Sequence, residues 1–496
     1  MMKIFLSVLF FTICFSALAQ TGTQKPVTKT TTPSYAYNIH ATVTPYKNKW
    51  IYLGSYYGKN KTLVDSAFAD NNSNAIFKGT KKLPGGIYFL VSPEHVILFE
   101  MMMDETQHFS IKADADKPDV VTFTGSPEND LFMQYTKYLS GIVPKITAVQ
   151  DSLKNFAHTK EDSVKLDDRL RELNTQLNNY RANVAKQHPN SMLALFFQTV
   201  KVPEAPAMPV LPDGKVDSAY PGRYVKEHFW DNVNFYDNRL VRTPFFEPKL
   251  NDYFKYYVSP EPDSIINEVN YMLLSAREGK DIYHYLLGKF TDTYINPEIM
   301  GQDKVFLFLF NNFYSKGDTD WLNATQKQYI FNRAYSIIAN QINEPAPQLD
   351  LVDTAGKTVS LYSVEAPFTF VVFWDPTCSH CKVEVPQLDS IYEAKWKALG
   401  VKIFAVNTNE NTNEAWRSFI IDNHLNGWYH AWQTRDERLA NEKANQPNFR
   451  QLYDVYQTPT MYLLDASKHI IAKKLSIDQF DSIIAAKLKS PATTKQ

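Results

Sequence analysis

Phe368-Thr369-Phe370-Val371-Val372-Phe373-Trp374-Asp375-Pro376-Thr377-Cys378-Ser379-His380-Cys381-Lys382-Val383-Glu384-Val385-Pro386 is the stretch that decides how this chain reads. Phe368–Trp374 is a near-continuous apolar run, the pattern of a strand buried on both faces of a parallel sheet. A helix is expected to open at Cys378 and run to about Leu399. The first sulfur then sits at a helix N-terminus, where backbone N–H groups and the macrodipole favour a thiolate. The second sulfur lies one turn inward, close enough to form a disulfide with the first. The spacing assigns Cys378 as attacking nucleophile and Cys381 as resolving thiol. His380, between them, is expected to stabilise the thiolate further.

The cysteine count sharpens this. The chain has three cysteines, and the third, Cys14, lies in an N-terminal apolar run. Met1-Met2-Lys3 reads as a positive n-region, Ile4–Phe15 as an h-region and Ala17-Leu18-Ala19 as a cleavage site, with Gln20 the expected mature start. The alternatives are a membrane anchor or a lipoprotein, but Cys14 lacks the preceding small residues of a lipidated cysteine. Residues 1–19 are thus expected to be a signal peptide that sends the protein to the periplasm or cell envelope. An exported chain with one remaining C-x-x-C does not use disulfides as staples. Its pair is spaced for redox exchange or a metal. Zinc needs about four ligands and only His424 and His430 are further candidates nearby, so no metal and no cofactor are expected.

Working outward, Pro345-Ala346-Pro347 opens an α/β pattern. Val401–Asn407 is a further strand, Glu414–Asn423 a helix, Thr460–Asp465 and His469–Lys474 a hairpin, and Phe480–Leu488 a closing helix. Upstream, residues 35–125 alternate in short runs such as Trp50–Tyr56 and Ile87–Val91, separated by turns such as Leu83-Pro84-Gly85-Gly86. That is the pattern of an all-β, sandwich-like unit. Ser126-Pro127 reads as an N-cap followed by proline at the first helical position. Ile146, Val149, Leu153 and Phe156, then Leu166, Leu170, Leu173, Leu177, Tyr180 and Val184, step by three and four. They predict an antiparallel helix pair packed within the chain, with a dimeric coiled coil as the alternative. The cluster from His228-Phe229-Trp230 through Arg239, Arg242 and Phe246 reads chiefly as core with satisfied arginines, and secondarily as a docking surface.

Composition agrees with several folded units. At 496 residues, 44% hydrophobic and 21% charged, the chain suggests roughly three domains. Seventeen glycines are about half the usual share, which disfavours Gly-rich nucleotide loops. A net charge of −1 offers no basic surface, so no nucleic-acid partner is expected. The expected organisation is a signal peptide (1–19), a flexible linker (20–34), a β domain (35–125), a helical domain (126–340), a C-terminal domain (341–488) and a tail (489–496).

The segment from Phe373 to Pro386 resembles thioredoxin-fold proteins of the TlpA/ResA-like thiol–disulfide oxidoreductase type, a likeness that covers roughly 345–488. The fold class implied is multidomain α+β: an N-terminal all-β domain, a mainly α-helical centre and a C-terminal α/β thioredoxin fold. The resemblance maps the family's cis-proline, facing the disulfide, to Pro459 in Thr458-Pro459-Thr460. It places Thr458, Pro459 and Trp374 on the substrate-binding side, and Pro386 at the helix-kinking position. Val372 stands where thioredoxins proper carry a buried aspartate, so Glu384 is the acid implied to act on Cys381, through water. The other two blocks resemble modules of unknown function fused to such domains in envelope proteins of Gram-negative bacteria.

The expected function is an exported thiol–disulfide oxidoreductase whose partners are protein thiols or disulfides and a membrane electron donor or acceptor. A peroxiredoxin is disfavoured by the spacing of Pro376-Thr377-Cys378. The alternative from another class is a non-enzymatic envelope binding protein with an accessory redox domain. His380 points toward an oxidant and the resemblance toward a reductant, so the direction of electron flow stays open. So does the oligomeric state.

Overall fold

The computed structural model describes residues 35–156 and 159–489. The expected signal peptide, linker and most of the tail lie outside them. The β unit comprises β1 (Tyr37–Thr44), β2 (Trp50–Tyr57), β3 (Asn60–Phe68), β4 (Asn74–Gly79), β5 (Gly86–Val91), β6 (Ile97–Met103), β7 (His108–Asp114) and β8 (Lys117–Thr124). They form two four-stranded sheets, ordered β4-β1-β7-β8 and β3-β2-β5-β6. Alternate residues of β1, Ile39, Ala41 and Val43, turn inward, as a half-buried strand requires. Strands β3 and β8 escaped the sequence reading because Asn60–Phe68 and Lys117–Thr124 are largely polar.

The helical block runs α1 (Pro127–Phe156), α2 (Lys160–Gln187), α3 (Met192–Val200), α4 (Tyr220–His228), α5 (Phe246–Tyr256), α6 (Pro262–Ser275), α7 (Lys280–Tyr294), α8 (Asp303–Asn312) and α9 (Ala324–Ile337). α1 and α2 are the expected antiparallel pair: Tyr138 stacks on Tyr180 at 3.9 Å and the Arg181 guanidinium donates to Tyr135 Oη at 2.9 Å. Burial concentrates at its base, on Leu173, Leu177 and Val184. The aromatic and arginine cluster is core. Phe229, Trp230, Phe235 and Phe246 are buried, Arg239 pairs with Asp237 and Asp104, and Arg242 with Asp281. Gly86 has no Cβ because the Arg242 side chain packs where one would stand.

The C-terminal unit is the thioredoxin fold. Its strands β9 (Asp350–Val352), β10 (Thr358–Ser360), β11 (Phe368–Trp374), β12 (Lys402–Asn407), β13 (Tyr429–Trp432), β14 (Thr460–Asp465) and β15 (Ile470–Lys473) form one sheet ordered β10-β9-β13-β12-β11-β14-β15. β11 is buried throughout and pairs parallel with β12 and antiparallel with β14. Helices α10 (Ser379–Ile391), α11 (Asn413–Asp422), α12 (Arg435–Lys443), α13 (Phe449–Leu452) and α14 (Ile477–Lys489) flank it. The helix expected from Cys378 to Leu399 is α10 followed by a π turn at Tyr392–Trp396, with Cys378 as its N-cap. Strand β13 and helix α12 went unread: Tyr429–Trp432 is four residues long, and the polar α12 buries no side chain.

Candidate active site

Burial of β11 fixes the base of the site. Its last residue, Trp374, is fully buried and packs on Phe419 with ring centroids 5.0 Å apart. Trp374 was expected on the substrate-binding side; its side chain is fully buried in the core cluster that also holds Cys381. Val372, also fully buried, fills the same core.

The chain then turns. Asp375 Oδ1 accepts from the Thr377 N–H at 2.8 Å and from its hydroxyl at 2.7 Å, and Oδ2 accepts from Asn409 Nδ2 at 2.9 Å. The Cys378 N–H closes onto the Asp375 carbonyl at 3.1 Å. Burial pushes the Asp375 carboxyl up, but these donors and the nearby Arg450 hold it below its ordinary value. Sequence reading missed Asp375, Asn409 and Arg450, since nothing local in the sequence joins residues 34 positions apart.

The two thiols are free and differ sharply. Cys378 is partly exposed at the start of α10, and its Sγ lies 3.4 Å from the Thr458 carbonyl oxygen. Burial pushes its thiol up. The Thr458 side chain, the Cys381 N–H and thiol and the His380 N–H outweigh that and hold it below the ordinary value. Cys381 is fully buried, and burial pushes it up to about 12. The arrangement therefore offers one outward thiol whose thiolate is favoured and one thiol behind it that stays protonated.

The remaining expected residues fall into two groups. The Thr458–Pro459 peptide is cis, and Thr458 stands directly against Cys378. The His380 imidazole, by contrast, is exposed, and the group it directs at the Cys378 sulfur is its backbone N–H. Glu384 makes no hydrogen bond to either thiol among the described residues. It lies half-buried in the wall of a cleft of about 730 Å³ that also includes Pro459. Among the described residues, no group of three or more His, Cys, Asp or Glu side chains is placed to hold a metal.

Known proteins resemble the chain in three blocks. The AhpC/TSA family model matches residues 342–473. A domain of unknown function (DUF4369) matches 37–132 and another (DUF5106) matches 168–338. The thiol-disulfide oxidoreductase ResA of Bacillus anthracis is 32% identical over 80 residues, 16% of this chain and 45% of that protein. This chain thus spans less than half the length of that relative. ResA of Bacillus thuringiensis subsp. konkukian is 27% identical over 131 residues, 26% of this chain and 68% of that protein. A crystal structure of a domain of a possible thiol-disulfide isomerase from Cytophaga hutchinsonii is 32% identical, covering 30% of this chain and 93% of that one, with a TM-score of 0.26. The C-terminal unit is a thioredoxin-like domain behind two domains of unknown function, the arrangement that the sequence resemblance implied.

Proposed function

We propose that this chain is an exported thiol–disulfide oxidoreductase that exchanges disulfides with protein substrates. Its domains follow the boundaries expected above: 35–125, 126–340 and 341–488. The observation that carries the reading is the contrast between the two sulfurs, Cys378 outward and depressed, Cys381 buried and raised.

In the reducing direction the Cys378 thiolate attacks a substrate S–S bond. A Cys378–substrate disulfide forms and the departing substrate sulfur takes up a proton. Cys381 then gives up its proton and attacks Cys378 Sγ, closing the Cys378–Cys381 disulfide and releasing the second substrate thiol. Two electrons pass to the substrate, and the oxidising direction is the reverse. Thr458 flanks the attacking sulfur, and Pro459 lines the adjoining cleft. Asp375 braces the turn that presents it. Residues 1–19 act as the export signal, and a membrane electron partner resets the pair.

Reduction of insulin by dithiothreitol, followed as turbidity, tests the reading. The parent protein accelerates it and Cys378→Ser does not. Equal rates with and without the parent would overturn it.

A further inference from the structure

We infer that α9, in the helical block, is the far wall of the substrate site and reads the extended polypeptide segment that flanks the target disulfide. This rests on the redox reading above and names a specificity surface for it. The cleft lined by Pro459, whose neighbour Thr458 stands against Cys378, is not built by the thioredoxin fold alone. Pro459, Thr460 and Glu384 form one side, while Tyr329 and Asn332 of α9 and Asn296 form the other. Its volume falls in the ordinary range of ligand clefts.

The wall is held in place. The Arg333 guanidinium donates to Asp454 Oδ1 at 2.6 Å and to the Ile295 carbonyl at 3.0 Å. Asp454 is 1% exposed, and its second oxygen binds Lys474. Ser336 and Tyr456 share a hydrogen bond at 2.7 Å, and Asn340 Nδ2 donates to the Leu452 carbonyl at 2.8 Å. The segment leading from Leu452 to Pro459 is therefore fastened to α9 at two places, both within the five residues before Pro459, and to Asn340 just beyond the helix at a third. A polypeptide entering beside Cys378 meets a fixed surface on both sides.

The lining states the occupant's chemistry. Two tyrosines stand at the cleft with much of their rings in solvent, Tyr329 at 52% and Tyr456 at 73% exposed. The Tyr329 hydroxyl is positioned by Asn296 Nδ2 at 3.0 Å. Rigid aromatic rings with a polar tip beside amide side chains are the groups that bind extended peptide at low entropic cost. The charges balance: Arg333 and Lys474 face Asp454 and Glu384. A polyanion or polycation gains nothing there, whereas a neutral chain segment fits. A small disulfide carries no flanking chain to lay against α9.

The test compares oxidised insulin with oxidised glutathione as electron acceptors for the full-length reduced protein. In Tyr329→Ala and in Asn332→Lys, the ratio of kcat/KM on insulin to that on glutathione is expected to fall about five- to ten-fold, chiefly through KM. Both positions are exposed, and an unchanged Tm confirms folding. Leu63→Ala, exposed on β3, is expected to keep the parent ratio. A ratio unchanged in both cleft variants, or equal losses on both acceptors, would overturn the inference. A parent protein inert on both disulfides would overturn the redox reading and this inference together, a result distinct from an unchanged ratio.

Discussion

The helical block meets its two neighbours in different ways. Toward the β unit, one apolar core crosses the border: Tyr56, Ile87, Phe89 and Met102 belong to the same buried cluster as Leu193, Val241, Phe246 and Leu286. Tyr57 meets Tyr285 edge-on at 5.6 Å, and buried Glu247 gathers the Lys59 N–H, Tyr285 and Lys289. Toward the C-terminal unit, that unit keeps its own cores on the two faces of its sheet. The joint there carries buried ion pairs, Arg333–Asp454 and Lys473–Asp303, with Met300 as its apolar contact on that unit's core. A shared core makes the β and helical units one folded body. A polar joint docks a unit that folds for itself and leaves room for a cleft beside Pro459.

If chemistry belongs to one joint only, removing one sulfur must silence the molecule while both joints survive. Cys378→Ser is expected to reduce insulin turnover to background with an unchanged unfolding profile. Cys381→Ser is expected to leave attack intact and accumulate mixed disulfides, visible on non-reducing gels. Activity retained in Cys378→Ser would place the chemistry elsewhere.

The next effect separates the two sulfurs. Only the thiolate alkylates, so labelling rises with pH through each thiol's pKa. Cys378 is held below its ordinary value, so its rate should rise and level off at lower pH than that of an ordinary thiol. Cys381, raised to about 12, stays protonated across that range. Brief iodoacetamide treatment of the reduced protein at pH 7, read by peptide mapping, should favour Cys378 by more than about a hundred-fold. Faster labelling of Cys381 would reverse the assignment.

Stability sharpens the contrast between the joints. Phe89→Ala empties part of the shared core and is expected to cost about 3–5 kcal/mol, lowering the unfolding of the β and helical units together. Arg333→Ala leaves a buried carboxylate with Lys474 as its remaining cation. It is expected to cost about 3 kcal/mol in a transition that uncouples the C-terminal unit. Urea unfolding followed by hydrogen exchange reads both. A single merged transition in Arg333→Ala would erase the distinction.

These residues also show what a sequence makes legible. The Phe368–Pro386 stretch could be read because a buried parallel strand, a turn and a helix N-cap are local patterns, and C-x-x-C is chemistry written on one turn. The β sandwich and helix pair followed from periods of two and three to four. What could not be read is held by pairs far apart in the chain. Asp375 with Asn409 and Arg333 with Asp454 exist only once the fold has brought them together. Trp374 was placed on the substrate-binding side by the resemblance, which says nothing of how far its ring is buried. Its place as the last residue of a fully buried strand sends the ring inward instead. Glu384 was given its role on Cys381 by the resemblance alone, and it stands half-buried in the wall of the cleft.

The smallest expected effect concerns His380. A charged imidazole on the Cys378 sulfur would contribute about 1.4 kcal/mol of thiolate stabilisation, equivalent to about 30 mV in a two-electron couple. The structure turns the ring into solvent and gives the sulfur the His380 backbone N–H, which alanine keeps. Solvent and salt screen an exposed charge, so His380→Ala should lower the potential by less than about 30 mV. The sign follows from the thiolate: losing a cation nearby raises the Cys378 pKa, weakens the reduced form and makes the pair more reducing. Glutathione redox titration of the variant against the parent measures it. A drop well beyond 30 mV would mean that the imidazole folds back onto the sulfur in solution. The direction of electron flow would then be set at this position rather than by the electron partner.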